Sequence, residues 1–269
     1  MDNRPIGVFD SGLGGLTAVK ELMAQLPEES IVYFGDTGRV PYGTRSDETI
    51  TKYVFQDIRF LLNFDIKLII IACGTASSVA LEKAQKEFDI PIIGVVYPTA
   101  VSAVGKSLSA KIGVIGTQGT INSESYTRVI KELTPDAQTF SKACTLFVPL
   151  VENGYTENEV ARLVAQEYLQ PLKEQEVDTL IMGCTHYPLL EKTIAGIMGE
   201  KVTLVDPGAE TVKYVKQLLK EKDMLVQPDA SAEYRYFVSD SVENFSRLGS
   251  VFLGQEITQS VEKIDIEKY

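Results

Sequence analysis

KLIIIACGTASSVALEK (67–83), followed by PIIGVVYPTA (91–100), decides the fold. An unbroken apolar run ends at Ala72, a helical stretch follows, and a second apolar run begins at Pro91. Continuous apolar runs are the pattern of strands buried on both faces, as in parallel sheets covered by helices. Strand, helix and strand together make a crossover unit. The pattern returns further along, where LIMGCTHYPLLEK (180–192) leads into VTLVDPGAE (202–210). Each copy runs from a strand to a cysteine with a threonine beside it (Cys73 with Thr75, Cys184 with Thr185). Leu-Glu-Lys comes next, then a strand closing in Val-x-Pro-x-Ala (Val96 to Ala100, Val205 to Ala209). Two similar lobes facing each other would bring two thiols to one cleft.

Working outward, IGVF (6–9), IVYF (31–34), KIGVI (111–115), TLFVP (145–149), DTLIMG (178–183) and KVTLV (201–205) also read as strands. Residues 46–63 place Ile50, Tyr53, Val54, Ile58, Leu61 and Leu62 on one helical face, with acids in the first turn. A second helix over 156–174 opens with a capping box from Thr156 to Glu159. Strands alternating with helices predict an α/β chain with doubly wound, mostly parallel sheets.

Composition narrows the function. With 44% hydrophobic and 23% charged residues, the chain is an ordinary globular protein, and no apolar run approaches the ~20 residues of a membrane helix. The net charge of −11, with no basic stripe, argues against nucleic acid but leaves room for an anionic substrate in a local pocket. MDNRPIGVFD lacks the shape of a signal peptide, and three scattered cysteines suit a reducing cytoplasm better than a disulfide framework. One histidine and those cysteines offer no zinc spacing, so no metal site is read.

Ligands of open parallel sheets bind beyond the carboxyl ends of the strands. The residues there are Asp10 and Ser11, Asp36 and Thr37, Cys73 and Thr75, Gly116 and Thr117, Glu152, and Cys184, Thr185 and His186. FDSGLGGLT (9–17) resembles a phosphate loop but matches neither nucleotide fingerprint, and its glycines also suit a tight turn. GDTGRVPYG (35–43) reads as a turn carrying Pro41, Tyr42 and Gly43, while VIGTQGT (114–120) offers the hydroxyls of Thr117 and Thr120. Cys73 and Cys184 both sit where a strand yields to a helix, a setting that favours thiolate. Cys144 precedes a strand in this reading and is taken as structural. No C-x-x-C points to redox work, and His186 is too near Cys184 in sequence to be the usual partner of a nucleophile. Thiols on opposite faces of a substrate would invert a stereocentre without a cofactor.

GVFDSGLGGLT, YFGDTGRVPYG, IIIACGTAS, VIGTQGTI, FVPLVE and GCTHYPLL, in this order, resemble the glutamate racemases of the cofactor-independent aspartate/glutamate racemase family. The likeness runs from residue 6 to about 209, and the stretch 206–210 is also similar. It implies two α/β lobes with the site between them: residues 1–97 with 208–269 carrying Asp10, Asp36 and Cys73, and residues 98–207 carrying Glu152, Cys184 and His186. It implies Cys73 acting on D-glutamate and Cys184 on L-glutamate, with Asp10, Asp36, Glu152 and His186 assisting proton movement. Asp10, Ser11, Pro41, Tyr42, Gly43, Gly74, Thr75, Thr117, Thr120, Thr185 and His186 would bind substrate. A cytoplasmic homodimer supplying D-glutamate for peptidoglycan, with no cofactor, is the rest of the expectation.

The family usually has Cys-Asn-Thr where this chain has Cys73-Gly74-Thr75. The missing amide would hydrogen-bond the substrate, so Gly74→Asn is expected to tighten binding by up to about tenfold. Three alternatives stand beside the resemblance: a racemase for another acidic amino acid such as aspartate, a two-lobed binding protein without catalysis, and a thiol redox protein.

Overall fold

A computed structural model describes residues 1–228, 230–257 and 261–269. The first half alternates strictly: β1 (Ile6–Asp10), α1 (Leu16–Gln25), β2 (Ile31–Gly35), α2 (Asp47–Leu61), β3 (Leu68–Ile71), α3 (Gly74–Glu87) and β4 (Ile92–Gly94). Helix α4 (Val96–Lys106) then leads to β5 (Lys111–Gly116), α5 (Gln118–Asn122), α6 (Ser125–Leu133), β6 (Gln138–Ala143), α7 (Phe147–Glu152), α8 (Glu159–Glu174), β7 (Thr179–Met182), α9 (Glu191–Met198) and β8 (Thr203–Val205). Helix α10 (Pro207–Glu221) returns to β9 (Tyr234–Val238), α11 (Val242–Leu253) and β10 (Val261–Lys263).

The strands form two sheets, ordered β10-β9-β2-β1-β3-β4 and β6-β5-β7-β8, with every described pairing parallel. Within each lobe the first strand is central, its successor lies on one side, and the third and fourth lie on the other. Alternation along the first sheet sends Ile6, Val8, Ile31 and Tyr33 to one face and Phe9, Val32 and Phe34 to the other. Helix α4 packs on α6 and β7, and α10 packs on α1 and α4, so the chain crosses twice between the lobes.

Local chemistry explains most boundaries. Ser46 accepts the Thr49 N–H at 3.3 Å to start α2, whose first turn holds Asp47 and Glu48 and whose last holds Arg59. The helix over 156–174 starts later than its apparent capping box. Asn158 is its cap, accepting the Ala161 N–H at 3.0 Å, while the Thr156 carbonyl accepts the Thr193 hydroxyl.

TLFVP is not a strand. Residues Phe147–Glu152 are helical, and the strand of that region is QTFSKA, 138–143, at the edge of its sheet. An edge strand with half-exposed side chains does not need an apolar run, so hydrophobicity misplaced it. Cys144 therefore follows a strand instead of preceding one. The tail adds strands β9 and β10 to those marked by apolar runs, and YRYFV has strand composition. Among the described residues no helix is long and apolar enough to cross a membrane.

Candidate active site

Backbone hydrogen bonds show that the lobes match residue for residue. Asp36 N–H donates to the Asp10 carbonyl at 3.0 Å, as Cys144 N–H donates to the Gly116 carbonyl at 2.9 Å. Ala72 N–H donates to the Phe9 carbonyl, as Gly183 N–H donates to the Ile115 carbonyl. Cys73 and Cys184 are therefore equivalent, one residue past the ends of these ladders. Asp36 and Cys144 are equivalent too.

The strand ends of both lobes face one cavity of about 330 Å³. One wall carries Ser11, Pro41, Tyr42, Gly43, Cys73, Gly74 and Thr75, and the other carries Thr117, Thr120, Glu152, Cys184, Thr185 and His186. Both thiols are largely shielded, at 6% and 7% exposure, so a substrate held there would be out of bulk water. Thr75 Oγ1 lies 2.8 Å from Thr117 Oγ1, and Thr117 Oγ1 lies 3.1 Å from Thr120 Oγ1. This cluster places three hydroxyls from both lobes at one edge of the cavity.

The two thiols have different surroundings. Cys73 caps α3 by accepting the Ala76 N–H at 3.5 Å, and its thiol donates to Ser11 Oγ at 3.4 Å. Burial, and then the charge of Asp10, push this thiol up to about 12. Cys184 is followed by a 3-10 turn, Tyr187–Leu190, so the expected α-helix N-terminus is absent from that side. A cation replaces it. His186 Nδ1 lies 3.9 Å from Cys184 Sγ, and Nε2 lies 3.1 Å from Glu152 Oε1. Burial pulls the imidazole down, but Cys184 and Glu152 outweigh it and raise the group to about 10. The lone histidine thus points Nδ1 at a sulfur in a setting that favours its protonated form.

Two expected site residues do not line the cavity. Asp10 is buried beneath Ser11, its Oδ2 accepting the Gly12 N–H at 2.9 Å; burial raises its carboxyl, against the charge of His186. Its Oδ1 is buried without a hydrogen-bond partner among the described residues, and its charge reaches Cys73 and His186. Asp36 lies behind Tyr42. Its Oδ2 accepts from Arg39 Nε at 2.6 Å and from Tyr42 Oη at 2.5 Å, and its Oδ1 accepts from Ser239 at 2.8 Å. Asp57 shares both partners: its Oδ1 accepts from Arg39 at 2.9 Å, and its Oδ2 lies 3.0 Å from Tyr42 Oη. A phenol has one proton to donate, and the shorter contact gives it mainly to Asp36. Burial, and then the charge of Asp36, raise the Asp57 carboxyl well above the usual range, against the pull of Arg39. The network holds Tyr42 in the wall, and a direct proton role for Asp36 does not fit this position.

Sequence reasoning missed Cys144, Thr145, Val148 and Pro149, which also line the cavity. The misplaced strand hid them, although the dipeptide Cys144-Thr145 repeats Cys184-Thr185. The Cys144 thiol is turned toward the Lys142 carbonyl at 3.7 Å, away from the other two sulfurs' chemistry.

Fold and site together define a two-lobed α/β enzyme with a thiol on each wall of an enclosed interlobe cavity. The chain belongs to the Asp/Glu/hydantoin racemase family, whose model matches residues 12–215. It is 48% identical over 254 residues to a glutamate racemase of Geobacter metallireducens, covering 94% of each chain. A glutamate racemase structure from Bacillus anthracis superposes with a TM-score of 0.94 at 39% identity, covering 98% of both chains. Another, from Francisella tularensis in complex with D-glutamate, gives 0.93 at 41% identity and covers both chains completely.

Proposed function

We infer that this chain interconverts L- and D-glutamate by moving the α-proton between the substrate and two thiols. The observation that carries the reading is the pair Cys73 and Cys184, at equivalent strand ends on opposite walls of one cavity. The lobes are taken as residues 1–97 with 208–269, and residues 98–207. From L-glutamate, Cys184 acts as thiolate and removes the proton, and Cys73, held as a thiol, delivers one to the opposite face. The reverse reaction exchanges these roles. Positive charge on His186, anchored by Glu152, favours the thiolate form at the Cys184 wall. Hydroxyls of Ser11, Thr75, Thr117, Thr120 and Thr185 and backbone N–H groups of residues 42–44 supply donors for the two carboxylates of the substrate. No cofactor enters this scheme. The product supplies D-glutamate for peptidoglycan, and we place the chain in the cytoplasm as a homodimer.

Circular dichroism of L-glutamate incubated with purified, chelator-treated protein should decay to zero, while L-aspartate should keep its signal. Cys73→Ser and Cys184→Ser should each lose racemisation in both directions, by roughly 10²-fold or more, because every turnover needs one base and one acid. Decay with aspartate at the same rate would favour the broader racemase reading. Near-normal turnover by either serine variant would remove that thiol from the mechanism.

A further inference from the structure

We propose that Tyr33 is a positioning residue for the Cys73 half of the reaction: through the Gly12 carbonyl it holds the Ser11 hydroxyl against the Cys73 thiol. The inference rests on the two-thiol reading above. Tyr33 lies on β2, opposite Val8 of β1, and does not line the cavity, so it touches no substrate. Its fully buried hydroxyl donates to the Gly12 carbonyl at 2.9 Å. No other hydrogen bond reaches that carbonyl among the described residues.

Gly12 is also held from its other end, where its N–H donates to Asp10 Oδ2 at 2.9 Å. Ser11 is the residue between these anchors, and its Oγ accepts from the Cys73 thiol at 3.4 Å. A hydrogen bond weakens steeply with poor direction, and the backbone of Ser11 sets that direction. The phenol is itself fixed by its neighbours. Its ring centroid lies 5.9 Å from that of Phe245 and 6.3 Å from that of Tyr236, and a Cβ on Gly15 would come within 3.1 Å of its oxygen. Burial, and then the charges of Asp10 and Cys73, raise the phenol well above its usual range, so it keeps its proton and stays a donor. The matching position of the other lobe is Ser141 on β6, opposite Val114. A serine has no ring to carry its hydroxyl across to the next loop, so the device belongs to the Cys73 wall alone.

Tyr33→Phe keeps the ring and removes only the hydroxyl. Mirror-image substrates have equal free energy, so kcat/KM must fall equally in both directions, by roughly two- to tenfold for one neutral hydrogen bond. Isotope effects separate the two thiols. From D-glutamate carrying deuterium on Cα, the Cys73 thiolate takes the deuteron, the electron pair stays on Cα, and Cys184 returns a proton to the other face. From the labelled L-enantiomer, Cys184 takes the deuteron and Cys73 returns the proton. A barrier raised at Cys73 alone should enlarge the isotope effect on kcat/KM for D-glutamate and shrink it for L-glutamate. General loosening of the site raises both barriers and does not drive the two effects apart.

Wild type, Tyr33→Phe, Ser11→Ala and the double variant are compared as full-length proteins. Opposed shifts of the two isotope effects are expected for Tyr33→Phe. In the Ser11→Ala background the same change should cost less than about twofold in kcat/KM, because Tyr33 acts through Ser11. Unchanged or parallel isotope effects in Tyr33→Phe, or full additivity with Ser11→Ala, overturn the proposal. Tyr236→Phe removes a buried hydroxyl of the same aromatic cluster that has no hydrogen-bond partner among the described residues. It should leave both isotope effects as they are, and opposed shifts there would assign the effect to packing and overturn the proposal. If Tyr33→Phe does not fold, Ser11→Ala carries the test, with opposed shifts expected and parallel shifts overturning the proposal. A wild type that washes label from deuterated water into recovered L-glutamate as fast as into D-glutamate overturns the two-thiol reading instead.

Discussion

His186 is the residue whose placement says most about the chemistry. It is the only histidine, so its imidazole gives a single resonance that can be titrated without assignment. Burial lowers its pKa, but the side-chain hydrogen bonds to Cys184 and Glu152 outweigh that and raise it to about 10. Nuclear magnetic resonance should therefore find an imidazolium through pH 8, against an ordinary midpoint near 6.5. Cys184→Ser and Glu152→Gln should each move the midpoint down. A wild-type midpoint close to 6.5 would remove the cation from the Cys184 wall. The sign of the linkage follows. A folded pKa above the unfolded one contributes stability that is complete below ~6.5 and is lost as pH rises toward about 10. The Cys184 partnership was legible because the two residues lie two apart at a strand end. Burial and the distance to Glu152, on α7, were not.

At the scale of elements, apolar runs located the central strands because those are covered on both faces. QTFSKA, an edge strand, lacks the apolar run that marks the others, and TLFVP reads as a strand although Phe147–Glu152 forms α7. The loop after β2 depends on contacts that no local pattern announces. Arg39, with a side chain only 10% exposed, bridges Asp36 and Asp57, and also reaches Gln56 and Glu267 near the C-terminus. Removing the guanidinium leaves buried carboxyl groups without their counter-charge. Arg39→Ala should cost roughly 3–5 kcal/mol in urea denaturation and raise KM for both enantiomers as Tyr42 loosens. A loss under about 1 kcal/mol would mean the network contributes little net stability.

The whole molecule is two similar lobes joined by α4 and α10, with a cavity that neither lobe closes alone. A ligand touching both walls stabilises their association. Glutamate at about 100 times its Kd should add ~2.7 kcal/mol to unfolding, read as a rise in melting temperature. No shift at concentrations that saturate turnover would contradict a site shared between the lobes. The internal repeat of strand, cysteine and strand already pointed to this duplication. The sequence by itself determined which groups can hold or move a proton, and which apolar runs must lie inside, since both are properties of residue type and spacing. Tertiary structure decided that Asp36 turns from the cavity into an ion pair, that Cys144 enters its wall, and that Tyr33 bonds the Gly12 carbonyl. Those outcomes depend on distances between strand ends remote in the chain, and only packing of the two sheets sets them.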